Sequence, residues 1–407
     1  MTDRLEKFDI IVVGAGLAGA AFALAMADQP LDIVVIDAQP EREGWPPLDE
    51  TVMDYDARVS ALTDASRRFL QRLGAWSAVA ERRVCPYQEM VVWDAEGTGE
   101  IHFSADEVGE LALGHIAENR LVTAALHNRL RDSRVRMLFN SPVAAWVRSG
   151  DQGQLQLNDG RLLQAPLIVA ADGANSRLRD WGGFQTREWD YQHHAIVCTV
   201  ETEKPHRATA WQRFLPEGPL AFLPLPDRDG AQNFSSIVWS AKPELADTLM
   251  AMDDDAFCLA LAQHFEGRLG RINAASRRVR FPLRQRHAQR YFQQGIALIG
   301  DAAHTLHPLA GQGINLGFAD AEVLAEECQR ALARGLPLSD ELLLSRYQRR
   351  RKGENLAMMA AMEGFQNLFA SQALPLRLLR NAGMSWLDRA VPIKRQIVAR
   401  AMGLARR

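Results

Sequence analysis

The chain has 407 residues, 47% of them hydrophobic and 24% charged, with a formal net charge of −3. That length exceeds what one core usually holds, so two closely packed domains are expected, and the charge argues against a general nucleic-acid binder. Cys85, Cys198, Cys258 and Cys328 form no CxxC or zinc pattern and read as inert thiols of a reducing cytosol.

Ile10 to Ala27 is uncharged and long enough to resemble a membrane span or a signal peptide. Gly14, Gly16 and Gly19 interrupt it, and Asp9 stands where a basic flank would belong. A nucleotide-binding unit explains the stretch better, so neither an export signal nor a transmembrane helix is expected. Phe8 to Val13 suits a buried parallel strand, and it enters Gly14-Ala15-Gly16-Leu17-Ala18-Gly19, a full GxGxxG. A second strand, Ile33 to Ile36, ends at Asp37, eighteen residues beyond Gly19. In this pattern Gly14 permits the tight turn, Gly16 lets a pyrophosphate approach the backbone, and Gly19 allows close helix packing. The helix N-terminus offers free N–H groups to phosphates, and Asp37 would accept hydrogen bonds from a ribose. The fingerprint does not separate FAD from NAD.

Leu167 to Ala171 reads as a buried strand followed by Asp172-Gly173 and a polar turn. From about Trp181 to Arg290 the pattern changes to alternating strands and turns, with Ala221 to Leu225 and Ser236 to Ser240 β-like. Trp211, Phe222 and Trp239 in this region either line a pocket or fill a core. His193 and His194 open a strand-like run and are expected in surface or inter-domain hydrogen bonds. A further strand, Ile296 to Gly300, ends at Asp301 and leads through Ala302-Ala303-His304 to Gly311-Gln312-Gly313-Ile314-Asn315. An acid at that position can bind a cofactor's hydroxyls, and the following helix, through about Arg330, can stabilise negative charge on a reduced ring. His304 and His307 lack the spacing of a helical metal-ligand pair, and no metal site is expected.

In this order and spacing, GxGxxG, Asp-Gly and Gly-Asp-Ala-Ala-His resemble the flavoprotein aromatic hydroxylases related to p-hydroxybenzoate hydroxylase. The resemblance covers essentially the whole chain. Asp56 to Leu62, Leu113 to Asn119, Trp189 to Ala195 and Gly300 to Gly317 narrow it to the FAD-dependent hydroxylases of ubiquinone biosynthesis. Val92 to Asp94 and Trp189 to His194 look most like the branch acting on 2-polyprenylphenol.

The resemblance implies an α/β fold: a Rossmann-like, glutathione-reductase-type FAD-binding domain with an inserted mixed-β substrate domain and a helical C-terminal region. The FAD-binding segments would be 1–75, 108–180 and 291–330, the substrate segments 76–107 and 181–290, and the helical region 331–407. It assigns Gly14, Ala15, Gly16, Leu17, Ala18, Gly19 and Asp37 to the ADP half of FAD. Arg58 would lie beside the flavin and pyrophosphate, and Asp301 would bind the ribityl chain. Pro308, Gly311, Gly313, Ile314 and Asn315 would line the isoalloxazine ring, with Asp172 and Gly173 forming the second fingerprint. Asn119 stands where many relatives carry an arginine, with Arg120 beside it. NAD(P)H would be the electron donor and O2 the oxidant, an electron-rich phenol being hydroxylated through a flavin C4a-hydroperoxide. A flavin monooxygenase of a soluble aromatic and a non-catalytic flavin-bearing scaffold are the alternatives.

Residues 371–407 carry eight Lys/Arg against Asp388 alone, and Ile393, Ile397, Ala401 and Leu404 share one helical face. Such a tail either binds an anionic membrane surface or a partner, or docks on the protein's own core. A polyprenylphenol substrate favours a cytoplasmic protein with peripheral contact to the inner face of the membrane. Membership of a ubiquinone-biosynthesis complex and of a homo-oligomer are the corresponding partner expectations.

Overall fold

Ile10–Val13 is a run of β-branched residues with no polar position, and it lies near the middle of a six-stranded sheet. The computed structural model describes residues 5–42, 44–48, 51–149, 152–227, 230–293, 295–305, 313–370 and 374–403. The sheet runs Phe292–Gln293, Ile296–Leu298, Leu167–Ala170, Ile10–Val13, Ile33–Ile36 and Arg136–Leu138. Every neighbouring pair is parallel except the first. Its middle strands are buried at every residue, as a sheet covered on both faces requires. Helices Leu17–Met26, Asn119–Arg131 and Gly313–Leu332 pack together on it. A four-stranded sheet, containing Gln152–Leu157 and Leu162–Ala165, contributes Leu155, Leu157 and Leu163 to the same core.

The second large sheet has nine strands and is assembled from two distant stretches of chain. Glu89–Asp94 and Glu100–Ser104 form one end, and the remaining strands come from residues 186–305. Strand residues alternate between its faces. Trp93, Trp211, Phe222 and Trp239 point to one face, where helices Pro243–Ala251 and Asp254–His264 complete a closed core. The three aromatic residues flagged in the sequence are therefore core. The Thr186–Thr202 strand is longer than its apolar pattern indicates, because a bulge between Asp190 and His193, with Gln192 at φ 51°, breaks the alternation. A three-stranded sheet, Val59–Leu62, Gly114–Glu118 and Val84–Tyr87, fills the space between the large sheets.

Helices Glu341–Ala370, Leu374–Arg389 and Val391–Ala401 close the chain. Two cations of the basic tail point inward. Arg380 donates from Nε to Asp94 at 2.8 Å and from NH1 to the Phe369 carbonyl at 2.9 Å. Lys394 pairs with Glu107 at 2.7 Å and donates to the His102 carbonyl at 2.8 Å. That anchor fixes the rotation of the last helix. Lys394, Val398 and Met402 are buried, the last two packing with Ala105 and Leu113, while Ile393, Ile397 and Ala401 face outward. The apolar stripe read from the sequence is thus the exposed side, and Leu404 lies outside the described residues. Among the described residues no helix is long and apolar enough to cross a membrane.

Candidate functional site

The glycine turn is built by steric exclusion. Gly14 has φ +106°, and a Cβ there would stand 2.2 Å from the Ala171 carbonyl oxygen. A Cβ on Gly19 would lie 2.0 Å from the Gly14 carbonyl oxygen, so the helix can approach this closely only without one. At Gly16 a Cβ would meet nothing within 4 Å. The outer side of the turn is open. The helix that starts there has no side-chain cap and no acid in its first turn, leaving its N–H groups for an anion.

Two side chains hold this turn from beneath. Asp37 accepts from the Ala15 N–H at 2.7 Å and from the Gln39 N–H at 2.8 Å. His127, on helix Asn119–Arg131, donates from Nε2 to the Ala15 carbonyl at 2.7 Å. Burial pushes the His127 pKa down and favours the neutral ring. The sequence offered no signal for His127, because the contact joins residues far apart in the chain. Leu17 packs against the core, and Ala18 meets the backbone at Gly300, where a Cβ would lie 3.1 Å from its own.

Asp172 and Gly173 follow the strand beside the turn. Asp172 accepts from the Arg177 N–H at 2.9 Å and the Leu178 N–H at 3.3 Å. Burial raises its pKa. Gly173 takes φ +82°. From this turn the buried Arg179 donates to the Ala174 carbonyl at 3.0 Å and the Ala302 carbonyl at 3.3 Å. The second and third motifs are thereby tied directly.

Asp301 sits in a single turn, Gly300–Ala302, and faces a cavity. Surrounding protein raises its pKa by desolvation, opposed by His304 and Arg58. Behind that turn lies a buried polar cluster centred on Asp320. His304 Nε2 meets Asp320 at 2.5 Å, Arg351 donates to it at 2.7 Å, and the Gly300 N–H at 3.1 Å. Asn355 adds a bond at 3.2 Å and also donates to the Tyr291 hydroxyl at 3.0 Å. Burial would raise the Asp320 carboxyl, but the His304 and Arg351 charges override it and bring it down to about 2. Arg351 and Asn355 belong to helix Glu341–Ala370, which carries no recognisable motif.

The cavity measures about 380 Å³. Arg58, Asn119 and Asp301 meet on one side of it, and Ala195, Val197 and Val238 of the nine-stranded sheet face them. The Arg58 guanidinium lies 5.2 Å from the Phe281 ring centre. Asn119 accepts from Ser60 at 2.7 Å, and its N–H donates to the Arg58 carbonyl at 2.9 Å. Arg120 turns away, donating to Glu118 at 2.9 Å. The buried Glu118 also accepts from the Asp56 N–H at 2.8 Å, which fixes the loop carrying Arg58.

Asn315, expected beside the ring, directs its amide into protein. It donates to the Ala61 carbonyl at 2.8 Å and accepts from Ser66 at 2.7 Å and the Thr63 N–H at 3.0 Å. It thereby ties the start of helix Gly313–Leu332 to the Val59–Leu62 strand. Gly313 is the first described residue of that helix, and Ile314 packs against the main core. Pro308 and Gly311, with His307, lie outside the described residues. A larger groove of about 850 Å³ behind helix Leu17–Met26 touches none of these residues. The open turn at Gly16, the uncapped helix and the convergence of Arg58, Asn119 and Asp301 fit FAD.

The FAD binding domain family matches residues 7–361. The chain is 36% identical over 400 residues to the 3-demethoxyubiquinol 3-hydroxylase of Escherichia coli strain K12, covering 98% of this chain and 99% of that one. It is 35% identical to the ubiquinone hydroxylase UbiL of Rhodospirillum rubrum, covering 97% and 89%. The fold is shared with p-nitrophenol 4-monooxygenase PnpA from Pseudomonas putida DLL-E4, with a TM-score of 0.78 at 17% identity and 98% of each chain covered.

Two outcomes test the site. Because a side chain at Gly16 meets open space, Gly16→Val should abolish FAD retention yet shift apo-protein stability by less than about 0.5 kcal/mol in urea titrations. Retained FAD would contradict the placement of the cofactor. His287 is buried against the Tyr291 hydroxyl at 3.1 Å, and burial, with His304 and Lys352 nearby, lowers its pKa to about 4. The unfolded chain then binds more protons than the folded one between about pH 6.5 and 4, so stability falls as pH falls through that window. His287→Gln should flatten this slope by on the order of 3 kcal/mol across the window in pH-dependent denaturation. An unchanged slope would contradict the assignment.

Proposed function

The chain belongs to the FAD binding domain family and is an FAD-dependent monooxygenase; from that premise we propose that it hydroxylates the ring of a polyprenylated phenol in ubiquinone biosynthesis, with NAD(P)H and O2. The observation that carries this reading is the cavity in which Arg58, Asn119 and Asp301 face an apolar sheet surface. Bound FAD supplies the redox chemistry, taking electrons from NAD(P)H and delivering one atom of O2 to the ring.

The chain's own residues position the ring and keep water out. Ala195, Val197, Leu223 and Val238 offer a flat aromatic ring an apolar surface, with Gln212 and Ser240 of the same sheet lining the cavity beside them. Excluding water from such a space strengthens the electrostatic contacts inside it and suppresses wasteful side reactions. Among the described lining residues the ionisable groups are Arg58, Arg284 and Asp301. The guanidinium of Arg58 favours the ionised, electron-richer form of a phenol near it. Such a phenol drives its own attack, which is consistent with the lack of a paired acid and base among these residues.

The names of the relatives support the pathway, and that of the Escherichia coli relative specifies a demethoxyubiquinol. The resemblance of Val92 to Asp94 and Trp189 to His194 favours 2-polyprenylphenol. Peripheral membrane contact belongs to the same proposal, since such substrates partition into lipid. Trp386, Val391, Ile393 and Ile397 are exposed on the last two helices, beside the exposed Arg389, Arg395 and Arg400. An apolar patch with basic neighbours suits an anionic lipid surface.

Anaerobic stopped-flow reduction by NADH and NADPH, with and without a short-chain 2-prenylphenol and followed by O2 and product analysis, tests the reading. Phenol should accelerate FAD reduction and emerge as a catechol, whose substitution pattern fixes the ring position. Reduction indifferent to phenol, with H2O2 as the sole product of O2, would overturn the substrate.

A further inference from the structure

The face of the nine-stranded sheet opposite its helix-covered core is divided between two cavities. The first is the one bounded by Arg58, Asn119 and Asp301, and it spans the Thr186–Thr202, Phe234–Ala241 and Gly218–Pro224 strands. The second, also about 380 Å³, continues along the same face over Glu89–Asp94 and Glu100–Ser104. The Thr209–Leu215 strand lies between them. Trp211 and Arg213 of that strand point to the helix-covered side, where Arg213 pairs with Glu266 at 2.6 Å. Alternation sends Gln212 and Phe214 to the other side. Gln212 lines both cavities and so stands at their boundary.

The second cavity is walled by hydrocarbon. Val92, Ile101 and Phe214 form its floor, and Phe369, Met384 and Leu387 of the C-terminal helices roof it. Phe369 stacks on Phe214 at 3.7 Å between ring centres. Apart from Gln212, the polar side chain at its edge is Arg380, whose guanidinium is engaged by Asp94 and the Phe369 carbonyl. A polar ligand finds little to bind there. A lining of this kind is complementary to a ligand group that is itself apolar. Ile397 lines the cavity and is also exposed, so the space reaches the surface at the last helix.

We propose that this second cavity holds the aliphatic, isoprenoid substituent of the substrate while its aromatic ring lies in the first, with Gln212 at the junction. The assignment rests on the phenol-hydroxylase reading above and adds the site for the tail. An ortho substituent leaves the ring directly, so a ring against Val197 and Ala221 can pass its chain across Gln212 without crossing the sheet. The tail then contributes binding energy remote from the reacting carbon.

Steady-state hydroxylation by FAD-loaded enzyme would be measured with 2-methylphenol, 2-prenylphenol and 2-geranylphenol in detergent below its critical concentration. The tail site predicts that KM falls about tenfold for each isoprene unit added, with kcat changing little. Val92→Phe and Leu387→Trp, which fill the cavity without touching the first one, should erase that dependence and leave KM for 2-methylphenol within about twofold of wild type. A wild-type KM independent of chain length overturns the tail site and leaves the hydroxylase reading standing, even if both variants misfold. A chain-length dependence that survives in folded variants also overturns it. No hydroxylation of any of the three phenols overturns the hydroxylase reading itself.

Discussion

A buried carboxylate holds the site together. Asp320 is fully enclosed and has no solvent to stabilise its charge, so its neighbours must supply what water would. They do so from three directions: Arg351 from the long C-terminal helix, His304 from the short strand after Asp301, and the Gly300 N–H from the turn itself. Each bond that stabilises the charge also fixes a piece of backbone. The turn that presents Asp301 is located by the same contacts, at the point where Ala18 of the glycine-rich helix and Gly317 of the following helix press against Gly300. The cluster therefore couples the pyrophosphate turn, the Asp301 turn and the helical C-terminal region.

The same economy of placement governs the nine-stranded sheet. Its side chains alternate, so one face closes over two short helices and the other is left for ligands. The C-terminal helices cover only the far end of that open face, held there by the inward cations Arg380 and Lys394. This explains why a strongly basic tail is docked rather than free. It also explains why the stripe of Ile393, Ile397 and Ala401 faces outward. Lys394, buried against Glu107, sets which side of the helix faces the protein.

Much of the nucleotide-binding half was legible in the sequence because its constraints are local. GxGxxG needs particular glycines within one turn, and the surrounding strands, Ile10–Val13, Ile33–Ile36 and Leu167–Ala170, are short runs that only a covered parallel sheet accommodates. What escaped was long-range. His127 supports Ala15 from 112 positions away, and Arg351 reaches Asp320 from another helix. Neither lies in a pattern that spacing can reveal. Asn315 shows a different limit, since a residue can belong to a recognisable motif while its amide is engaged by Ala61, Thr63 and Ser66. The extra length of the Thr186–Thr202 strand was hidden because its bulge interrupts the period of two.

The central claim is that the buried Asp320 cluster positions the cofactor-binding turns without touching the cofactor. Equilibrium FAD titration of Asp320→Asn, paired with circular dichroism of the same samples, tests it most directly. The account predicts a native spectrum with FAD affinity weakened by about tenfold or more, about 1.4 kcal/mol. Wild-type FAD affinity in the folded variant would show that the site holds its shape without the charge, and would contradict the account.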